Sequence, residues 1–184
     1  MAVTDTSPAS KPQIQIRKAT EADIPAIVKL GRRVFTKSFG HSVQPHELQE
    51  YLDSAYTIPA ITKDIEDADR DTIVAMTEDG RLGGFAMLAR NTTEPCVEGV
   101  EKTVELQRIY VDNAMHGCGV GGKLSRTIDS MAREQGFANI WLGVWEENQV
   151  AQKAYKNWGY AKVGTHDFAL GSVIQTDDIL LKKL

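Results

Sequence analysis

Apolar residues recur along this chain with two spacings, and the switch between them predicts its elements. Ile14 to Arg17 alternates apolar and polar positions, as a short strand does. Thr20-Glu21-Ala22-Asp23 reads as a helix start, with Asp in place of the usual Glu of a capping box. Ile24, Ile27, Val28, Gly31, Val34 and Phe35 follow at helical spacing and predict a buried stripe. Pro45 suits the first position of a second helix, which would carry Leu48, Leu52, Ala55 and Tyr56 inward. A short third helix is expected from Pro59 to Asp67.

The period then becomes that of strands. Thr72–Met76 and Leu82–Leu88 flank Glu78-Asp79-Gly80, a hairpin signal. After a loop over Asn91–Glu101, Val104–Val111 is the next strand. A glycine-rich stretch leads into a helix from about Gly121 to Gln135, with Val120, Leu124, Ile128, Met131 and Ala132 on one face and Gly136 as its stop. Asn139–Val144 is a strand, Asn148–Trp158 a helix ended by Gly159, and two strands are expected near Tyr160–Thr165 and Asp177–Leu181. The order β-α-α, then β-β-β-α-β-α-β-β, predicts an α/β (α+β) fold, a mixed sheet with helices on its faces.

Composition narrows the function classes. With 184 residues, 42% hydrophobic and 25% charged, the chain has the makings of one globular domain, expected over 14–184. Residues 1–13, rich in Ser, Thr, Pro and Ala, are expected to form a mobile tail. Lys and Arg number 21 against 25 Asp and Glu, a net charge of −4 without a basic cluster, which argues against a nucleic-acid partner. No apolar run approaches the ~20 residues that span a bilayer. The start lacks the basic and apolar regions of a signal peptide. Cys96 and Cys118, in unlike contexts, suit a reducing compartment, so a cytoplasmic protein is expected. His41, His46, His116 and His166 lack ligand spacing, and no metal is expected. Trp141, Trp145 and Trp158 are expected in the core or in pocket walls, with Trp158 and the sheet edge as a candidate homodimer contact.

The most informative stretch is Val111 to Gly122, where a strand runs into glycines that open a helix. Glycines let the backbone approach a phosphate, and the positive end of the helix dipole faces it, so a pyrophosphate is the expected occupant. Gly117-x-Gly119-x-x-Gly122 also fits the dinucleotide fingerprint, with Glu146 about where a ribose-binding acid would stand. That motif, however, turns directly out of its strand, whereas five residues separate Val111 from Gly117.

The spacing of Val111, His116, Gly119 and Gly121 resembles the coenzyme A loop of GNAT-family acetyltransferases. Glu105-Leu106-x-x-Ile109-Tyr110-Val111 is similar to the family's central strand, and Asn148-x-x-Ala151-x-x-x-Tyr155-x-x-x-Gly159-Tyr160 to its next helix. The resemblance spans roughly Ile14 to Leu184. Ile140–Asn148, Gly164-x-His166-x-Phe168, Gln175-Thr176-Asp177 and Tyr51-Leu52-x-Ser54-Ala55-Tyr56 further resemble the bacterial PaiA-like polyamine acetyltransferases.

The resemblance implies a mostly antiparallel sheet, splayed at its central strands, and acetyl-CoA as co-substrate. It implies a coenzyme site made by Ile109, Tyr110, Val111, His116, Gly117, Cys118, Gly119, Val120, Gly121, Gly122, Asn148 and Tyr155. It puts the thioester carbonyl against a backbone N–H near Ile109, an oxyanion stabiliser, and makes Tyr155 the acid that protonates the departing thiolate. Asn148 would both cap its helix and contact the pantetheine arm. Glu105 is the candidate base. It shares a parity with Ile109 and Val111, and so a face of the strand if no bulge intervenes. The family usually has Gln or Arg where His116 stands and often basic residues at 117 and 118. Lys123 and Arg126 are the nearby cations that could supply the missing charge.

A small primary amine is the expected acceptor. Glu47, Glu50, Asp53, Glu98, Glu101 and Asp167 could line an acidic cleft for a polyamine. Amino acids and amine-bearing antibiotics are the alternative acceptors, and a catalytically silent acyl-CoA sensor is the alternative function.

Overall fold

The computed structural model describes residues 13–184. Of the tail expected over 1–13, all but Gln13 lies outside that range.

Strand β1 (Ile14–Lys18) passes through a single 3-10 turn into helix α1 (Ile24–Phe39). The Asp23 carboxylate accepts from the Thr20 N–H at 2.8 Å, so Asp does serve in place of Glu. Two bonds of 2.7 Å from the Arg17 guanidinium hold its pKa down at about 2. Helix α2 (Pro45–Ala55) starts on its proline, and α3 (Ile58–Glu66) on Thr57, whose hydroxyl accepts from the Ala60 N–H. Strands β2 (Arg70–Thr77) and β3 (Leu82–Ala89) form the expected hairpin, followed by β4 (Thr103–Val111), α4 (Val120–Glu134), β5 (Asn139–Trp145) and α5 (Gln149–Asn157). The chain ends in β6 (Ala161–Leu170) and β7 (Val173–Lys183).

The strands form one seven-stranded sheet in the order β1-β2-β3-β4-β5-β7-β6, with β4/β5 its parallel pair. Side chains alternate between two cores. On one face, Val104, Leu106, Ala86, Leu88, Ile140 and Leu142 pack under Leu124 and Ile128 of α4 and Tyr155 of α5. On the other, Val74 and Phe85 pack against Ile27, Leu30 and Phe35 of α1, Leu52 of α2 and Ile61 of α3. Gly31 is required inside α1 because Tyr56 lies across it: a Cβ there would stand 2.4 Å from the ring.

Two departures from the sequence reading matter. The last two strands are much longer than expected and form a hairpin around Gly171 (φ 61°). Strand β6 is an edge strand exposed along most of its length, so no core selects an apolar alternation that would betray it.

The second departure is in β4. Met87 pairs with Arg108 but Leu88 pairs with Leu106, which leaves Gln107 as the extra residue of a β-bulge. The bulge reverses the parity. Val104 and Leu106 face the α4 core, and so do Ile109 and Val111 beyond Gln107. Glu105 therefore points to the opposite face from Ile109 and Val111, and the parity argument made from the sequence is overturned.

Candidate active site

Strands β4 and β5 pair only over Thr103–Glu105 and Asn139–Trp141. Beyond Glu105 they diverge, and the backbone groups β4 turns toward β5 lose their strand partner. The sheet is thus splayed at its centre. A cleft of about 830 Å³ opens from this gap, lined by α4 and α5 and also by residues of α1 and by Trp145.

One wall of the cleft is the glycine loop. The Asp112 carboxylate accepts from the Ala114 N–H at 3.1 Å and pairs with Arg33 of α1 at 2.5 Å, which fixes the loop's entry. Gly117 (φ 78°) and Gly119 (φ 83°) adopt the left-handed conformation that side chains disfavour, and α4 begins at Val120. The first N–H groups of α4 have no acceptor within the helix. Gly119 to Gly122 line the cleft, so these donors and the helix dipole suit a phosphate group.

The opposite wall is α5. The Asn148 side chain accepts from the Ala151 N–H at 3.2 Å, and the residue also lines the cleft, so capping and lining coincide. The Tyr155 ring meets Trp158 and Tyr160 edge-on, with 5.7 Å between centroids in each pair. Burial pushes the phenol pKa well up, so it stays protonated across the neutral range.

Of the residues picked out from the sequence, Ile109, Val111, His116, Gly117, Gly119, Val120, Gly121, Gly122, Asn148 and Tyr155 line the cleft together. Three do not. Cys118 packs against the α4 core instead. Tyr110 turns its side chain to the other face, where its hydroxyl lies 2.5 Å from that of Tyr56. Glu105 also lies on that face, half-buried, and burial raises its pKa against the opposing influence of Thr92, Arg70 and Arg108.

The sequence reading missed the contribution of α1. Val34, Lys37, Ser38 and His41 line the cleft, and their i, i+3, i+4, i+7 spacing was a visible signal overshadowed by the buried stripe beside it. Trp145 completes that side, stacked on Phe39 at 5.1 Å. Trp158 lies across Gly121 within the chain, and Trp141 is buried with Ile179.

Lys37 also answers the missing loop charge. Lys123 is turned away to donate to the Ile14 carbonyl, and Arg126 lies against Gly122 without lining the cleft. Among the described lining residues, Lys37 carries the fixed positive charge. Lys37→Ala is expected to raise the KM for the anionic co-substrate about fivefold in low salt, with the difference shrinking as salt is added. Steady-state kinetics at two ionic strengths check this.

The acidic cleft does not form as expected. Glu47 is buried and accepts from the Gln44 and Ser172 N–H groups at 3.1 and 2.6 Å. Asp53 pairs with Arg32, and Asp167 accepts from Thr176. Glu50, Glu98 and Glu101 are exposed and outside the cleft. Among the described residues, no three His, Cys, Asp or Glu side chains gather as a metal site requires, and no helix is long and apolar enough to cross a membrane. The largely antiparallel sheet, with its single parallel pair, excludes the dinucleotide-binding topology.

Comparison with known proteins agrees with this architecture. Residues 32–160 match the family model described as acetyltransferase (GNAT) family. An uncharacterized N-acetyltransferase of Mycobacterium tuberculosis is 30% identical over 165 residues, 90% of this chain and 99% of that protein. The streptothricin acetyltransferase of Streptomyces lavendulae is 34% identical over 99 residues, 54% of this chain and 49% of that one. In fold, the chain resembles the PaiA N-acetyltransferase of Thermoplasma acidophilum, solved in complex with coenzyme A. The TM-score is 0.76 at 20% identity, over 94% of this chain and 99% of that one. The chain belongs to the acetyltransferase (GNAT) family and is an acetyl-CoA-dependent N-acetyltransferase.

Proposed function

We propose that this enzyme acetylates a primary amine of a small molecule, a polyamine by preference, in a ternary complex, acting in the cytoplasm as a single domain over 14–184. The observation that carries the reading is the gap between β4 and β5. Glu105 stands where the gap begins and faces away from Ile109 and Val111, which line the cleft, so two substrates can meet through it. Binding both in line supplies much of the rate.

In the proposed reaction the ammonium form of the amine loses a proton, directly or through water, to Glu105. The nitrogen lone pair attacks the thioester carbonyl carbon and the C–O π electrons move to oxygen, held by a backbone N–H of β4 near Ile109. The C–S bond then breaks, the attacking nitrogen gives up its second proton to solvent, and the thiolate takes the Tyr155 proton. The products are the acetamide and the free thiol, and the proton on Glu105 returns the tyrosinate to phenol by way of solvent. Burial raises the pKa of Tyr155, and it raises that of a thiolate's conjugate acid in the same cleft, so the transfer stays matched. The retained acid and base speak against a silent sensor, which needs neither.

A thiol-release assay with acetyl-CoA against spermidine, spermine, lysine, ornithine, an aminoglycoside and a short peptide tests the reading. Turnover concentrated on the polyamines is expected. Turnover on the aminoglycoside instead would favour an antibiotic as acceptor, the second reading, which the likeness to the streptothricin enzyme motivates. Absence of coenzyme binding would sink both.

A further inference from the structure

Strand β5 runs through the interior of the sheet, yet Gly143 in its middle is exposed. It shares a face with Trp141 and Trp145, the face opposite Leu142 and the α4 core. The missing side chain leaves a hollow between two tryptophans, beside the gap where β4 leaves β5.

One carboxylate leans into that hollow. Asp177 of β7, the register partner of Trp145, places Oδ2 3.3 Å from where a Cβ on Gly143 would stand. Its charge adds to burial in raising the pKa of Tyr51 of α2 and of Tyr110 of β4. Tyr51 in turn meets Phe168 of β6 edge-on at 6.2 Å.

Neighbouring acids are occupied. Glu94 is hydrogen-bonded to His166 at 3.0 Å, and Asp178 pairs with Lys162 at 2.5 Å. Glu105 has Arg70 and Arg108 nearby. Among the described residues, the Asp177 side chain has neither a hydrogen bond nor an ion pair; His166, its register partner on β6, is engaged by Glu94 at 3.0 Å. A half-buried carboxylate without an ion-pair partner, beside a glycine set between two tryptophans, is the chemistry that receives an alkylammonium group.

We infer that Asp177 binds the cationic amine of the acceptor over Gly143, on the sheet face opposite the α4 core, and so selects alkylammonium substrates. This rests on the acetyltransferase reading of the site and adds its amine-binding residue. Burial pushes the Asp177 pKa up to about 6, with Asp178 and Glu94 raising it and His166 lowering it. Tyr51, Tyr110 and Arg108 complete the titratable surroundings on α2 and β4. The ionised form holds the amine, so kcat/KM for the amine falls as pH drops through about 6.

The test compares the intact wild-type protein with Asp177→Asn, which keeps the shape, and with Gly143→Ala, which fills the floor. KM is measured for spermidine and for acetyl-CoA, and spermidine binding is measured by calorimetry. Asp177→Asn is expected to weaken spermidine, in KM and in binding, about ten- to a hundredfold, with the acetyl-CoA KM within about twofold of wild type. Gly143→Ala should move the amine KM in the same direction. An unchanged spermidine KM in Asp177→Asn overturns the inference and leaves the acetyltransferase reading intact. Spermidine binding that Asp177→Asn abolishes, in a protein without turnover, supports the inference and overturns the proposed polyamine acetylation. A wild type that neither binds nor acetylates spermidine overturns the inference.

Discussion

Tyr155→Phe is expected to lower kcat at least a hundredfold, to leave the acetyl-CoA KM within about twofold, and to leave the protein as stable as before. The ring's packing survives the change, since Trp158 and Tyr160 meet the ring and not the hydroxyl. Among the described residues the hydroxyl makes no hydrogen bond, so removing it strands no partner. What disappears, in the proposed reaction, is the proton for the leaving thiolate. Steady-state kinetics with a thermal melt of the same sample separate the cases. A fall in kcat with an unchanged melt assigns the hydroxyl to the chemical step, whereas an unchanged kcat would place the acid elsewhere.

The largest stability effect is expected at Asp64. This carboxylate, on α3, accepts from Arg70 and also from Arg108, the latter at 2.5 Å. Arg108 is largely buried, 5.5 Å over the Tyr56 ring. Removing Asp64 leaves the Arg108 guanidinium without its ion-pair partner in a poorly hydrated place, while Arg70 keeps Asp67 at 3.2 Å. Breaking a buried pair from one side costs about 3 kcal/mol, which for a domain of this size is a fall in Tm of roughly 6–12 °C. Asp64→Ala measured by thermal denaturation checks this. Adding Arg108→Met should recover part of the loss if the unpaired charge is its cause. A simple packing defect would not be relieved.

Much of the fold is legible in the sequence because most elements obey one local rule at a time. The hairpin glycine at Gly80, the capping carboxylate at Asp23 and the apolar face of α4 each act within a few residues, and each stands where expected. The glycine loop is legible for the same reason. The features that were not legible depend on pairing across the sheet. Val104 to Val111 reads as an unbroken strand, since nothing in its own residues says that Leu88 will pair with Leu106 and skip Gln107. The length of β6 is hidden because β7, not a core, holds it in place. The acids on α2 look alike in sequence, yet Glu47 serves the backbone of Gln44 and Ser172 and is unavailable to a ligand. The role of Lys37 follows only once α1 is known to lie along the cleft.

The bulge at Gln107 gives one strand a double allegiance. Without it, Glu105 would share a side with Ile109 and Val111, and one substrate's compartment would hold both the base and the coenzyme wall. With it, the two chemistries of the proposed reaction are segregated by a count of backbone atoms, not by the identity of any side chain. Acceptor preference can therefore drift through substitutions on one side of the sheet while the donor side is left undisturbed. Losing a single residue from β4, by contrast, would exchange the two sides at once. The enzyme's division of labour is written in the strand's length.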